Sequence, residues 1–187
     1  MSDLMLDVGQ ANELKMAFRR ADYSNDEIKQ LCEGSILADV RNVLRKHATI
    51  TMMEYVIDCD ASPYVPDGWK VEEHQKGGQF KFDASQIELY LSAAQKKGSI
   101  EGNKLRKELA GKLVLNANVL DYLLANPHLI PEEWKGKYVF FWGTVYRFSD
   151  GILFVRYLFW RGGRWLWGSY WLDNGWDGRD PAALRAS

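Results

Sequence analysis

The chain of 187 residues has two cysteines, Cys32 and Cys59, and three histidines, His47, His74 and His128. One cysteine falls in a helical pattern and the other at a strand end, which excludes a disulfide scaffold and a thiolate metal set. None of the histidines has a second histidine or a cysteine at i+3 or i+4, so the common paired zinc spacings are missing too. No segment reaches the roughly 18 consecutive apolar residues that a membrane span needs. The opening MSDLMLDVGQ is acidic and has no apolar run, so neither export nor insertion is expected. Charge of one sign is lacking as well. The 24 Lys and Arg residues against 25 Asp and Glu leave a formal net charge of −1, with no global attraction to nucleic acid or anionic lipid. There is no glycine-rich phosphate loop, serine nucleophile elbow or Cys–His signature. The expectation is a cytoplasmic, non-membrane protein without metal or cofactor, and more readily a binding protein than an enzyme.

A hydrophobic content of 47% is ample for a core. Residues 1–48 read as a unit of three short helices. Asp7 caps the first, Ser24 with Glu27 forms a capping box for the second, and Gly34 ends it. Ile36, Leu37, Val40, Val43 and Leu44 give the third a continuous apolar stripe. Residues 49–187 read as an α+β unit. TITMMEYVIDC is strand-like and stops at DASPYVPDG, and WKVEEHQKGGQFKF suggests a hairpin over Gly77-Gly78. Asp83 with Gln86 marks the start of a helix through Ile87, Tyr90, Leu91 and Ala94. Short helices follow over 103–110 and 117–125, one turn at PEEW, and a last short helix over 181–185.

Residues 137–173 form the most distinctive part. The stretch from Tyr138 to Trp176 holds 15 of the 25 aromatic residues. It is also the only locally basic region, with 7 basic and 4 acidic residues over 137–187. Asp150-Gly151 and Gly162-Gly163 suit two-residue hairpin turns, so three antiparallel strands are expected. In that register Tyr146 opposes Val155, Trp142 opposes Phe159, and Trp160 opposes Trp165. One sheet face then carries Phe140, Trp142, Tyr146, Val155, Tyr157 and Phe159 with no charge. The other carries Phe141, Val145, Phe154, Leu158, Trp165, Trp167 and Trp171 with Arg147, Arg156 and Arg164. A buried core is the preferred reading of that second face, with at least two of Trp165, Trp167 and Trp171 covered and Arg156 stacked on a ring. The functional alternative is a stacking platform for single-stranded nucleic acid, glycan or peptide, or a self-association surface.

SNDEIKQLCEGSILADVRNVLRK resembles a helix-turn-helix, whose second helix would present Arg41, Asn42 and Arg45 to duplex nucleic acid beside an unfavourable Asp39. Asp58 and Asp60 share one face of a strand end, a minor candidate for a metal-dependent enzyme. The combination of VIDCDASPYVPDGWKVEEHQKGGQFKFD, LNANVLDYLLANPHLIPEEWKGKYVFFWGTVYR and WLDNGWDGRDPAALRAS resembles a family of uncharacterised conserved hypothetical bacterial proteins, many of them from candidate phyla. That resemblance spans nearly the whole chain and implies a bacterial, cytoplasmic origin; it transfers no activity and no site residue. The expected function is a nucleic-acid-associated regulatory or interaction protein, through Arg41, Asn42 and Arg45 or through Arg156, Trp165, Trp167 and Trp171. A protein-interaction or homo-oligomerisation module is the alternative.

Overall fold

The computed structural model describes residues 5–51 and 54–186. The chain separates into two compact units, Met1–Met53 and Glu54–Ser187. The first holds α1 (Val8–Arg20), α2 (Asn25–Leu31) and α3 (Ile36–Leu44). Reciprocal side-chain and backbone hydrogen bonds between Asp7 and Gln10, and between Ser24 and Glu27, satisfy the free N–H groups of α1 and α2. No residue of the three helices is buried, and Ile36, Leu37, Val40 and Leu44 of α3 are exposed. Local capping rather than a core shapes this unit.

The second unit begins with β1 (Val56–Asp58), β2 (Trp69–His74), β3 (Gln79–Lys81) and β4 (Ile87–Tyr90). It continues through α4 (Ala93–Lys97), β5 (Ile100–Glu101), α5 (Gly102–Leu109) and α6 (Ala117–Ala125). The long strands β6 (Val139–Phe148), β7 (Leu153–Arg161) and β8 (Arg164–Trp171) follow, then β9 (Gly175–Trp176) and β10 (Ala182–Arg185). A six-stranded mixed sheet runs in the order β4-β10-β6-β7-β8, with β2 also paired to β6. The expected α+β fold and its closing three-stranded antiparallel meander are therefore present.

Alternation along β6 sorts its side chains onto two cores. Val139 and Phe141 join Leu158, Trp165 and the α6 residues Val119, Leu120 and Leu123 on one face. Phe140 and Trp142 join Trp176, Val155 and the α5 residues Leu105 and Leu109 on the other. Burying a leucine-sized side chain contributes about 1.5–3 kcal/mol. The rings of the meander, clamped between α5 and α6, thus dominate the stability of this unit.

Several local expectations are corrected. Asp83 caps only a 3₁₀ turn, Ala84–Gln86, and the chain then extends into β4, because Ile87–Tyr90 find a ladder partner in β10. For the same reason the last segment is a strand, not a helix. The Gly77-Gly78 hairpin is absent: β2 pairs with β6 and β3 with β1. The two glycine N–H groups instead donate to Asp60 Oδ1 at 3.1 and 2.9 Å. The strand in TITMMEYVIDC is confined to Val56–Asp58, and Met52 and Met53 lie outside the described residues.

The β7–β8 register is the one expected, with Trp160 opposite Trp165 and Phe154 opposite Trp171. The β6–β7 register is not. Val145 opposes Val155 and Tyr146 opposes Phe154, so these two β6 residues exchange faces relative to the expectation. The cause is the turn. Gly151 N donates to Phe148 O and Phe148 N to Ile152 O, each at 2.9 Å, enclosing a three-residue loop with Gly151 at φ 91°. That is a type I turn closed by a glycine bulge, not a two-residue turn. A second irregularity lies between Phe140 and Val145, where β6 leaves β10 and takes up β2. At its centre Gly143 touches the start of α6: a Cβ there would sit 2.9 Å from Asn116 Cα.

Candidate functional site

The second sheet face divides into a covered half and an open half. Trp165 lies under α6 and is 8% exposed, whereas Trp167 and Trp171 are 38% and 48% exposed. One of the three tryptophans, not two, is core. The buried residues Val119, Leu120 and Leu123 of α6 share one core with Phe141, Leu158 and Trp165, and neither Trp167 nor Trp171 belongs to it.

Arg156 is 1% exposed and sits between the two halves. Its Nη1 and Nη2 donate to Asp121 Oδ2 and Oδ1 at 3.0 and 2.7 Å, a bidentate pair reaching from β7 to α6. Its guanidinium carbon lies 4.3 Å from the Trp167 ring centre and 5.4 Å from that of Tyr64. Burial works against the charge, the Asp121 carboxylate outweighs it, and the guanidinium is held above its ordinary pKa. Arg156 is therefore a support beneath the rings rather than a contact offered to a ligand.

Sequence reasoning missed the partners of this support. Tyr64 comes from the loop between β1 and β2, which Tyr146 pins by donating from its hydroxyl to Tyr64 O at 3.0 Å. Trp69 stacks on Phe154 with ring centres 5.0 Å apart, and Phe154 meets Trp171 edge-on at 6.0 Å. Together Tyr64, Trp167, Trp171 and Phe148 make a row of partly exposed rings along one sheet face. A signal for Asp121 did exist. It is the one charged residue of a largely apolar helix, ANVLDYLLA, as Arg156 is the one charge within LFVRYLFW. Two lone opposite charges on apolar elements call for each other.

Arg41 and Arg45 are exposed on the last turn of α3 and its cap, with Asn42 half-buried. On the other side of α3, Ile36, Leu37, Val40 and Leu44 form an exposed apolar stripe. Arg147 is tied to Glu72 by two hydrogen bonds of 2.7 Å, while Arg161 and Arg164 face each other, exposed, beside the Gly162-Gly163 turn.

Asp58 and Asp60 serve the backbone: Asp60 N donates to Asp58 Oδ1, and Asp60 Oδ1 holds the two glycines. Among the described residues no group of three or more His, Cys, Asp and Glu could hold a metal ion. His74 bridges Thr144 Oγ1 at 2.9 Å and Cys59 O at 3.0 Å. A carbonyl only accepts, so Nε2 carries the proton toward Cys59. Asn116 donates to the same carbonyl and to Gln75 O, and Thr144 Oγ1 accepts from Ala117 N. This network fastens β1, β2, β6 and α6 together. Burial pushes the Cys59 thiol up to about 11, with Asp58 and Asp60 adding to the effect, so it is not a nucleophile at neutral pH.

No family model matches the chain, and no curated protein or solved structure is significantly similar to it.

Proposed function

We propose that this is a non-enzymatic, nucleic-acid-associated interaction protein, with single-stranded nucleic acid stacking on the row Tyr64, Trp167 and Trp171. The observation that carries the reading is that these large rings stay half-exposed although the face beneath them is fixed by a buried Arg156–Asp121 pair. Base stacking on such rings contributes about 1–3 kcal/mol per base and tolerates any sequence. Arg161 and Arg164 pair at the tip of the same hairpin, turned by strand alternation to its other face, and their long side chains would meet the phosphates of a strand passing round the tip, in the one locally basic part of the chain. Free thiols at Cys32 and Cys59 fit a reducing bacterial cytoplasm.

The test is a titration with labelled oligothymidine and with duplex at two salt concentrations, followed by tryptophan quenching. Trp167→Ala and Trp171→Ala should each weaken single-strand binding about tenfold or more. Arg161→Gln with Arg164→Gln should flatten the salt dependence. An absence of quenching at low salt would reject the reading.

A second reading is favoured by α3, whose apolar stripe lies exposed on a unit with no buried residue among those described. Three short helices without a core need cover to be stable. In this reading α3 is a self-association or protein-docking helix, and Arg41, Asn42 and Arg45 flank a contact instead of reading duplex. Sedimentation of the full chain and of Leu37→Glu separates the two, since only self-association is lost with the stripe.

A further inference from the structure

We propose that the opposite face of the meander holds a binding site for an organic cation, an alkylated ammonium group seated among tyrosine rings. The site is a cavity of about 260 Å³ walled by Tyr138, Phe140, Tyr157 and Tyr170, with Asp177, Arg179 and Asp180 at its side. It lies on the face of β6 and β7 away from Trp167, so it is independent of the stacking surface.

The walls are built. Tyr138 and Tyr157 meet nearly perpendicular, with ring centres 5.4 Å apart; Phe140 lies 4.8 Å from Tyr157 and 6.4 Å from Tyr170. Glycine at 168 gives the Tyr157 ring its place, since a Cβ there would stand 2.6 Å from Tyr157 Cζ. Rings set at such angles turn several negative π faces toward one space, and a cation within about 6 Å of their centres is attracted to each.

Charge points the same way. Asp177 is neutralised by Arg179, which donates to both of its oxygens. Asp180 accepts only a backbone N–H, that of Asp177 at 2.9 Å, and among the described residues it has no ion-pair partner. With Asp177 paired to Arg179, the three charged residues at the cavity leave it one net negative charge. Elsewhere the protein covers its ring faces with its own cations: Arg156 on Trp167, Lys135 on Trp160, Lys112 on Tyr90 and Arg185 on Phe80. Among the described residues no lysine or arginine lies over any of the four rings of this cavity. A half-buried carboxylate and a set of uncapped rings share the same missing complement, a cation with an apolar skin. A metal ion or bare ammonium keeps its water too strongly for such walls; a methylated ammonium does not.

The probes are choline and 3,3-dimethylbutan-1-ol, its neutral carbon isostere, titrated into the full chain and followed by amide chemical shifts. Choline is expected to bind saturably with shifts at Tyr138, Gly175 and Asp177, and the alcohol at least about tenfold more weakly. Asp180→Asn keeps the acceptor for Asp177 N and removes the charge, so it should weaken choline about tenfold with the fold unchanged. Tyr157→Leu should do the same and serves as a second variant. Equal binding of the alcohol, full choline affinity in Asp180→Asn, shifts mapping to another region, or no saturable choline binding up to about 10 mM would each overturn the assignment.

Discussion

Asp121→Asn tests how the aromatic face is held. The substitution keeps the shape of the side chain and removes its charge, so Arg156 stays in a position that is 1% exposed with nothing to balance it. Breaking a buried ion pair by neutralising one partner costs about 3–5 kcal/mol. The Asp121 side chain is 31% exposed, so water reaches one edge of the pair and places the expected loss near the lower end, about 3 kcal/mol. Arg156→Met removes the charge from the buried side instead and fills much of the same volume. Asp121 then stands at an edge that water can reach, and the loss should be smaller, about 1 kcal/mol. The double variant should be no less stable than Asp121→Asn alone, because the buried charge is gone. Urea unfolding of the four proteins, read by near-ultraviolet circular dichroism, gives the comparison on one scale. A loss of 3 kcal/mol is a large share of the roughly 5–15 kcal/mol that hold an ordinary domain. If Arg156→Met proves more damaging than Asp121→Asn, the reasoning fails, and ring stacking rather than charge pairing fixes this face.

The three tryptophans should separate by cover: Trp165→Ala should cost about 3–5 kcal/mol, and Trp167→Ala or Trp171→Ala about 1 kcal/mol, in the same unfolding assay. Gly143→Ala should destabilise strongly, since its methyl would meet Asn116 backbone at 2.9 Å; a lowered melting temperature with an unchanged β7–β8 register is the expected result. Cys59 should resist alkylation in the native state at pH 8 while the exposed Cys32 reacts, and mass mapping after brief iodoacetamide treatment reads this directly. Burial raises the Asp180 carboxyl above its ordinary value, so the folded state binds that proton more tightly than the unfolded chain does. Its stabilising contribution is present below about pH 3.9 and lost as pH rises through the raised value. Asp180→Asn should therefore gain stability over wild type at pH 7, and this advantage should vanish toward pH 3.

Wherever neighbouring residues alone decide a conformation, the sequence was readable. Asp7, Ser24 and Glu27 announce helix starts because the groups they satisfy are two or three residues away. Gly162-Gly163 announces a tight turn, and the whole β7–β8 register follows from it. Where a distant partner competes, local reading failed. Asp83 and Gln86 do start a turn, but Ile87–Tyr90 gain a ladder with β10, nearly a hundred residues away. Asp150-Gly151 marks a turn but not its loop length, because a glycine in the left-handed region suits both closures and only the pairing of β6 chooses.

The candidate sites divide in the same way. Sequence alone determined that Arg156 would lie among tryptophans and that the meander would have two aromatic faces. Only the tertiary structure decided that Trp165 joins the core with α6 while Trp167 does not, that Asp121 takes up the guanidinium, and that Tyr64 arrives from another loop to complete the row. Alternation and turn chemistry act over a few bonds and are written in the residues themselves. Cover depends on which elements pack over a sheet face, and that is settled by the packing of side chains far apart in the chain.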